Sequence, residues 1–272
     1  MTIDIQYKTQ NYQPSRQEHL YGKNVHILSH PYYQTLLTQF CKNDMHQPHL
    51  SQTTRKLYQY LLSEVVATQL KQKVVKVETR MKELIEQGEL ELPIIDPHQS
   101  VVIVDLARAG ILPSMYCHEE LATLINPERI RQDHFYMNRK VNKKQEVIGV
   151  DVSGSKIGGD KEDSIVLFPD PMGATGSSLS YTIDYYKNNV PVLAAKYVAI
   201  HLIITPEYIQ RMTHEHPDVE IFTLRLDRGL SSEKILQTLP GTHSSEEFGL
   251  TDTQYIVPGA GGVGEILNNS FV

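Results

Sequence analysis

The segment of residues 170–178 combines one acid, two glycines and three hydroxyl side chains between a predicted strand and a predicted helix. It follows an apolar run at residues 165–168 and reads Asp170-Pro171-Met172-Gly173-Ala174-Thr175-Gly176-Ser177-Ser178. The first amides of a helix have no acceptor within the helix and lie at the positive end of its dipole, so they attract phosphate. We predict a phosphate site here, with Asp170 facing hydroxyl groups of the same ligand. A capped strand-to-helix turn is the alternative, because Ser and Thr are ordinary helix caps.

Arg108 is the second residue that could do chemistry. It follows another apolar run, at residues 101–104, within Leu106-Ala107-Arg108-Ala109-Gly110. Ligands of open parallel sheets bind at the carboxyl ends of the strands, so Arg108 and Asp170 are expected at the same edge. A guanidinium there offers two parallel hydrogen bonds to an anion. On the residues alone, a structural ion pair is the favoured interpretation of this Arg.

The elements that must position these residues alternate between apolar strands and helices. Two helices are predicted first, at residues 31–40 and about 53–70, and the second has four core positions at helical spacing: Leu57, Tyr60, Leu61 and Val65. Strands are then predicted at residues 101–104, 134–137, 165–168, 195–204 and 221–226, with helices after Pro113 and from about 179 to 187. This alternation predicts an α/β fold, with a central parallel sheet flanked by helices.

Composition narrows the class of protein. The chain has 272 residues, 40% of them hydrophobic, which fits one substantial core. Its 26 basic and 32 acidic residues give a net charge of −6, so no general field favours nucleic acid or an anionic membrane. Two cysteines, Cys41 and Cys117, form no disulfide framework, and the 12 histidines lack metal-site spacing. With no secretory signal or membrane-spanning run visible, we expect a soluble, cytoplasmic protein.

Four motifs, in order along the chain, resemble those of the uracil phosphoribosyltransferases, a family of type I phosphoribosyltransferases. Residues 106–110 resemble the family's Leu-Arg-Ala-Gly turn, and residues 170–178 resemble its loop for phosphoribosyl pyrophosphate (PRPP). The other two are His216-Pro217-Asp218-Val219-Glu220 and the base-binding segment Tyr255-Ile256-Val257-Pro258-Gly259. Weaker likeness extends over most of the chain from about residue 25.

The resemblance implies transfer of ribose 5-phosphate from PRPP to N1 of uracil, giving UMP and pyrophosphate in pyrimidine salvage. It implies that Asp170 and Arg108 are catalytic, and that PRPP is bound by Arg108 together with Asp170, Pro171, Met172, Gly173, Ala174, Thr175, Gly176, Ser177 and Ser178. The base would be read by the backbone around Ile256, Gly261, Gly262 and Val263. Mg²⁺ would be bound largely through the substrate, with no dedicated protein ligands.

The chain, taken as a single domain of residues 1–272, is expected to consist of a body and three appendages, on the residue pattern and the resemblance together. Residues 1–24 are predicted to form an N-terminal arm, and residues 251–266 the base-binding loop. Residues 141–163 are predicted to form a β-hairpin arm that reaches across a homodimer. A surface loop without a role is the alternative for the hairpin, and a mobile end is the alternative for the Gly-rich tail.

Three departures from the family pattern fall near the predicted site. Met137 stands where the family commonly has an Arg that contacts PRPP, and Arg139 is a candidate replacement. Gly262 stands where the family has an Asp that works next to PRPP, and Asn268-Asn269-Ser270 replaces Phe-Gly-Thr. The favoured hypothesis is an active enzyme that uses uracil or another pyrimidine. A catalytically weakened, PRPP- or nucleotide-binding regulatory paralogue is the alternative, and an RNA-binding attenuator lacks a basic, aromatic-interleaved face.

Overall fold

The computed structural model describes residues 4–7, 12–141, 147–159, 162–191 and 193–270. In these residues the strands are β1 (Val25–Ile27), β2 (Gln72–Glu78), β3 (Glu89–Ile95), β4 (Val101–Ala107), β5 (Ile130–Val141), β6 (Val147–Lys156), β7 (Ile165–Pro169), β8 (Met172–Gly173), β9 (Lys196–Ile204) and β10 (Val219–Leu226). The helices are α1 (Pro31–Phe40), α2 (His49–Gln69), α3 (Ile111–Leu121), α4 (Ser177–Asn189), α5 (Pro206–Glu215), α6 (Glu233–Leu236) and α7 (Val263–Asn268).

One central sheet organises the fold, in the order β1-β10-β9-β7-β4-β5-β6, with the short β8 paired to β9. All neighbouring pairs are parallel except β5 with β6. The predicted parallel sheet is therefore confirmed. Its strand order brings the carboxyl ends of β4 and β7 side by side, which places the turns after them next to each other.

Helices cover both faces of the sheet because the strands are apolar on both faces. Leu167 packs into a core with α1, α2 and α3, whereas its neighbours Val166 and Phe168 pack into a second core with α4 and α5. Strand side chains alternate between faces, so a continuous apolar run such as residues 198–204 supplies both cores. The predicted core positions of α2 are confirmed, since Leu57, Tyr60, Leu61 and Val65 are all buried.

The hairpin of β2 and β3 is an element that sequence patterning did not predict. Its two seven-residue strands pair antiparallel outside the central sheet. Exposed apolar side chains, including Val74, Val77 and Ile94, break the alternation that normally identifies a half-buried strand. Pro93 lies inside β3, and a proline in a short run also argues against a strand.

The hairpin predicted at residues 141–163 begins earlier than expected, because β5 already starts at Ile130. β6 pairs antiparallel with β5, from Val141 opposite Val147 to His134 opposite Lys156. Residues 142–146 and 160–161 lie outside the described residues. The role of this hairpin at a dimer contact stays a prediction.

The N-terminal segment contacts the body of its own chain over residues 12–24. The Gln17 amide donates to the Ile27 carbonyl at 2.8 Å, and the Tyr21 hydroxyl donates to Glu247 at 2.5 Å. Residues 1–3 and 8–11 of the predicted arm lie outside the described residues. None of the helices described here is both long enough and apolar enough to cross a membrane.

Candidate active site

A cavity of about 780 Å³ opens at the carboxyl ends of β4 and β7. Three segments that are distant in sequence line it: the turn after β4, the loop after β7 and the C-terminal loop. The lining comprises residues 107–109, 136–137, 153, 170, 172–179, 201, 208, 254–256 and 261–265. The volume is in the range of small-molecule sites.

The cavity contains nearly all of the site residues predicted from the sequence. Arg108, Asp170 and residues 172–178 line it, as do Ile256 and residues 261–263 of the C-terminal loop. Pro171 does not line the cavity. Its carbonyl accepts hydrogen bonds from the amides of Leu202 and Ile203, at 3.0 and 3.1 Å, and so ties the loop to β9.

The loop before α4 has the geometry of an anion site. Gly176 is the N-cap residue of α4, with φ of +76°, and the Thr175 hydroxyl accepts from the Ser177 amide at a long 3.4 Å. A positive φ is tolerated by glycine and is costly for other residues. A Cβ on Gly173 would lie only 2.8 Å from Ile204 Cγ2, so this part of the backbone packs closely on the neighbouring strand. Glycine has no side chain to cap α4, and the Thr175 contact to its first amide is long, which favours the phosphate site over the capped turn.

Asp170 is held by the turn that it begins. Its amide donates to the Ile200 carbonyl at 3.1 Å, and its Oδ1 accepts from the Met172 amide at 3.2 Å. The backbone of β9 thus fixes the position of the Asp170 backbone, and the loop itself orients the carboxylate. Because Asp170 comes directly after β7, its side chain reaches the cavity at the edge where ligands of parallel sheets bind.

His201 and Tyr208 support the backbone of Asp170 through two successive hydrogen bonds, and the sequence analysis did not identify them. His201 Nδ1 donates to the Asp170 carbonyl at 2.6 Å, and the Tyr208 hydroxyl donates to His201 Nε2 at 2.6 Å. Burial lowers the pKa of His201 to about 4, so the ring is neutral at pH 7. A carbonyl can only accept, which assigns the proton to Nδ1. The signal in the sequence was a lone His within the apolar run of β9.

We expect His201 to make the protein less stable in acid. In the unfolded chain the imidazole has a pKa near 6.5, whereas in the folded protein its pKa is about 4. Between these pH values the unfolded chain binds a proton at His201 and the folded protein does not, so acid favours unfolding. Lowering the pH through this window should reduce the free energy of unfolding by about 3 kcal/mol. Urea denaturation at about pH 7 and about pH 4.5 measures this loss. His201→Gln should show a smaller loss, and an equal loss in both proteins would contradict the assignment.

Arg108 faces the cavity without an acidic partner among the described residues. Its Nη1 donates to the carbonyl and the hydroxyl of Ser270, at 3.0 and 2.9 Å, and its preceding peptide bond, from Ala107, is cis. The structural ion pair considered from the sequence is therefore not seen in the described part of the chain. An anionic ligand would replace two bonds to neutral oxygens with stronger charged ones.

Met137 forms part of the cavity wall where the family pattern has a cation. It is half-buried, and the Thr182 hydroxyl lies 3.6 Å from its sulfur. The side chain of Arg139, the candidate replacement, lies outside the described residues. Among the described residues that line the cavity, Arg108 is the only Arg or Lys.

Two acids that the sequence analysis missed anchor the C-terminal loop and the residues just before it. Asp227 is buried, and its Oδ2 accepts from the Gly259 amide at 2.7 Å. The Arg225 guanidinium donates to both Asp227 oxygens, at 2.6 and 2.8 Å, and to the Gly259 carbonyl at 3.2 Å. Glu207 accepts from the Gly249 amide at 2.9 Å. The loop's approach to the cavity therefore depends on fixed ionic contacts at the end of β10 and the start of α5.

The donor set of the cavity suits a magnesium ion carried by a substrate. Among the described residues, no group of three or more His, Cys, Asp or Glu side chains could hold a metal on its own. Two carboxylates, those of Asp170 and Glu265, belong to residues that line the cavity. Mg²⁺ is usually bound through one or two carboxylates, waters and substrate phosphates, so these residues fit it.

Comparisons with known proteins identify the family and the fold of this chain. A sequence model of the family described as uracil phosphoribosyltransferase matches residues 27–243. The uracil phosphoribosyltransferase of Burkholderia multivorans is 28% identical over 252 residues, covering 90% of this chain and 94% of the relative. That of Thermococcus kodakarensis is 27% identical over 215 residues, covering 77% and 75%. The solved structure of the AQ2163 protein from Aquifex aeolicus has a TM-score of 0.66 at 22% identity, covering 89% and 97%, which establishes the fold.

Proposed function

The chain belongs to the uracil phosphoribosyltransferase family, and we propose that it transfers ribose 5-phosphate from PRPP to N1 of uracil, forming UMP and pyrophosphate. One observation carries this proposal above the others. Arg108, the Asp170 loop and the Gly-rich C-terminal loop, which are far apart in sequence, line a single cavity. That cavity brings the N-terminus of α4, a cation and exposed backbone together in one place.

The proposed reaction breaks the bond from ribose C1 to a pyrophosphate oxygen, which leaves with the bonding electron pair. A bond forms from C1 to uracil N1, and the N1 proton passes to solvent. Positive charge develops on the ribose and negative charge on the pyrophosphate, so positioning and electrostatics are the main sources of rate enhancement. Residues 172–178 would bind the 5-phosphate, and Asp170 the ribose hydroxyls. Arg108 would pair with the pyrophosphate. Magnesium, bound largely through PRPP, would neutralise phosphate charge.

Uracil recognition is proposed to use backbone groups. The base presents an acceptor, a donor and another acceptor along one edge, which amides and carbonyls can match without a charged side chain. Ile256 and residues 261–263 bring such groups to the cavity. The contacts of Asp227 and Arg225 with Gly259 would hold this loop in place for the base. We also propose the homodimer that the family resemblance implies, with the hairpin of β5 and β6 as its contact.

A PRPP-binding regulatory protein is the second candidate function, because Met137 supplies a thioether where a cation is expected. The purified protein is incubated with PRPP, Mg²⁺ and each nucleobase in turn, and the formation of nucleoside monophosphate is measured. Calorimetry on the same preparation measures PRPP binding. We expect turnover with uracil. PRPP binding without turnover of any base would reject the enzyme and favour the regulatory protein.

A further inference from the structure

The carboxylate of Glu265 occupies the space that a side chain on Gly262 would take. A Cβ built on Gly262 would lie 2.2 Å from Glu265 Oε2, closer than real atoms approach. The backbone of Gly262 has φ of −77° and ψ of 72°, close to an inverse γ-turn, which residues other than glycine also adopt. The atom that the Cβ would meet is the far end of a flexible side chain, so a side chain at 262 would displace the Glu265 carboxylate and leave the backbone in place. The absence of a side chain at 262 and the position of the acid three residues later are one arrangement.

The structure gives Glu265 no partner of its own. In the described part of the chain, no hydrogen bond or ion pair involves its carboxylate. A Glu in the first turn of a helix often bonds back to the N-cap amide, but that bond is not made at Gly262. The residue is half-buried, and its carboxylate oxygens are not among the fully buried atoms that lack a partner, so a ligand in the cavity can reach them. A ligand that supplies a positive group or hydroxyls would give the carboxylate a partner.

The location of Glu265 favours one kind of ligand group. A Cβ on the adjacent Gly264 would lie 3.3 Å from Ala109 Cβ, so this turn packs against the turn that carries Arg108. The Ser270 amide donates to the Glu265 carbonyl at 3.0 Å, and Ser270 itself contacts Arg108. An acid and a cation are thus held on two touching turns at one cavity wall. A pyrophosphate would repel the acid directly, whereas its divalent cation would attract it.

We propose that the Glu265 carboxylate faces the magnesium ion carried by PRPP and supplies, from residue 265, the negative charge that Gly262 lacks. This inference rests on the proposed function, since it takes PRPP as the ligand. Arg108 then serves the phosphate oxygens, and Glu265 serves the hydrated cation beside them. The Glu265 side chain is long enough for its carboxylate to lie beside Gly262 and face the cation there.

The test is PRPP binding measured by calorimetry with Mg²⁺ and in its absence with a chelator. Glu265→Gln keeps the shape of the side chain and removes its charge. It should weaken PRPP binding about tenfold or more with Mg²⁺, and leave binding without Mg²⁺ unchanged or tighter. Glu233→Gln, an exposed acid in the first turn of α6 and away from the cavity, is the matched control and should change neither.

Moving the carboxylate tests its position. Gly262→Ala should also weaken binding with Mg²⁺, because the new Cβ displaces the Glu265 carboxylate without removing it. The double variant Gly262→Asp, Glu265→Ala should recover most of the affinity by placing a shorter acid in the same space. Thermal unfolding of each variant confirms that it is folded.

The outcomes separate this inference from the proposed function. Equal magnesium dependence of PRPP binding in Glu265→Gln and in the unaltered protein would overturn the inference, whatever the turnover. Tight magnesium-dependent binding that needs Glu265, in a protein that turns over no base, would support the inference and reject the enzyme. A protein that does not bind PRPP would reject both.

Discussion

Replacement of Asp170 by Asn is expected to lower kcat by about a hundredfold to a thousandfold. Asp170 lies at the end of β7, at the edge where the ribose is proposed to bind, and its negative charge would stabilise the positive charge that develops there. In the unaltered protein, Asp170 Oδ1 accepts from the Met172 amide at 3.2 Å. Asn keeps an oxygen that can accept this hydrogen bond, so the turn should keep its conformation. The loss should therefore appear in turnover and leave the fold intact.

Steady-state formation of UMP with saturating PRPP and uracil measures this loss, and thermal unfolding checks that the variant is folded. Asp44→Asn, in an exposed acid outside the cavity, makes the same chemical change and should leave kcat unchanged. A folded Asp170→Asn protein with near-normal kcat would remove Asp170 from the catalytic assignment. Arg108 would then be the remaining charged group of the two predicted from the sequence.

Replacement of Asp227 by Ala is expected to lower the free energy of unfolding by about 3–5 kcal/mol. Asp227 is only 2% exposed and accepts from both the Arg225 guanidinium and the Gly259 amide. Removing the acid leaves a partly buried cation and a buried amide without an acceptor, and both are costly. Because Gly259 begins the Gly-rich part of the C-terminal loop, the KM for uracil should also rise.

Urea denaturation at neutral pH measures the change in stability, and initial rates at varied uracil concentration measure the KM. Asp227→Asn is the graded control, since its amide keeps one acceptor oxygen and should lose less stability than the Ala variant. If Asp227→Ala lowers the free energy of unfolding by less than about 1 kcal/mol, the contact contributes no more than an exposed ion pair does. That result would contradict the role of Asp227 as an anchor.

Local sequence pattern determined most of the fold. The helix at residues 31–40 was predicted with the bounds that the structure has, because Pro31 at the first turn and the apolar spacing after it are local signals. Strands such as residues 165–168 and 195–204 were found within one or two residues, since continuous apolar runs require burial on both faces. The hairpin of β2 and β3 failed because its exposed strands carry no such pattern.

Sequence reasoning also located the two charged residues at the ends of β4 and β7, because each directly follows a buried strand. In a parallel sheet, that position alone brings Arg108 and Asp170 to one edge. The family resemblance added the C-terminal loop, and the structure places that loop at the same cavity.

Only the tertiary structure showed which residues support the segments that line the cavity. His201 reaches the Asp170 carbonyl across 31 residues, and Asp227 reaches Gly259 across 32, so no local period could pair them. From the sequence, Gly262 was interpreted as the loss of a carboxylate. The structure shows the Glu265 carboxylate in the space that a side chain on residue 262 would take. Periodicity reports which face of an element is buried, whereas these contacts depend on the paths of turns, which set where a side chain ends in space.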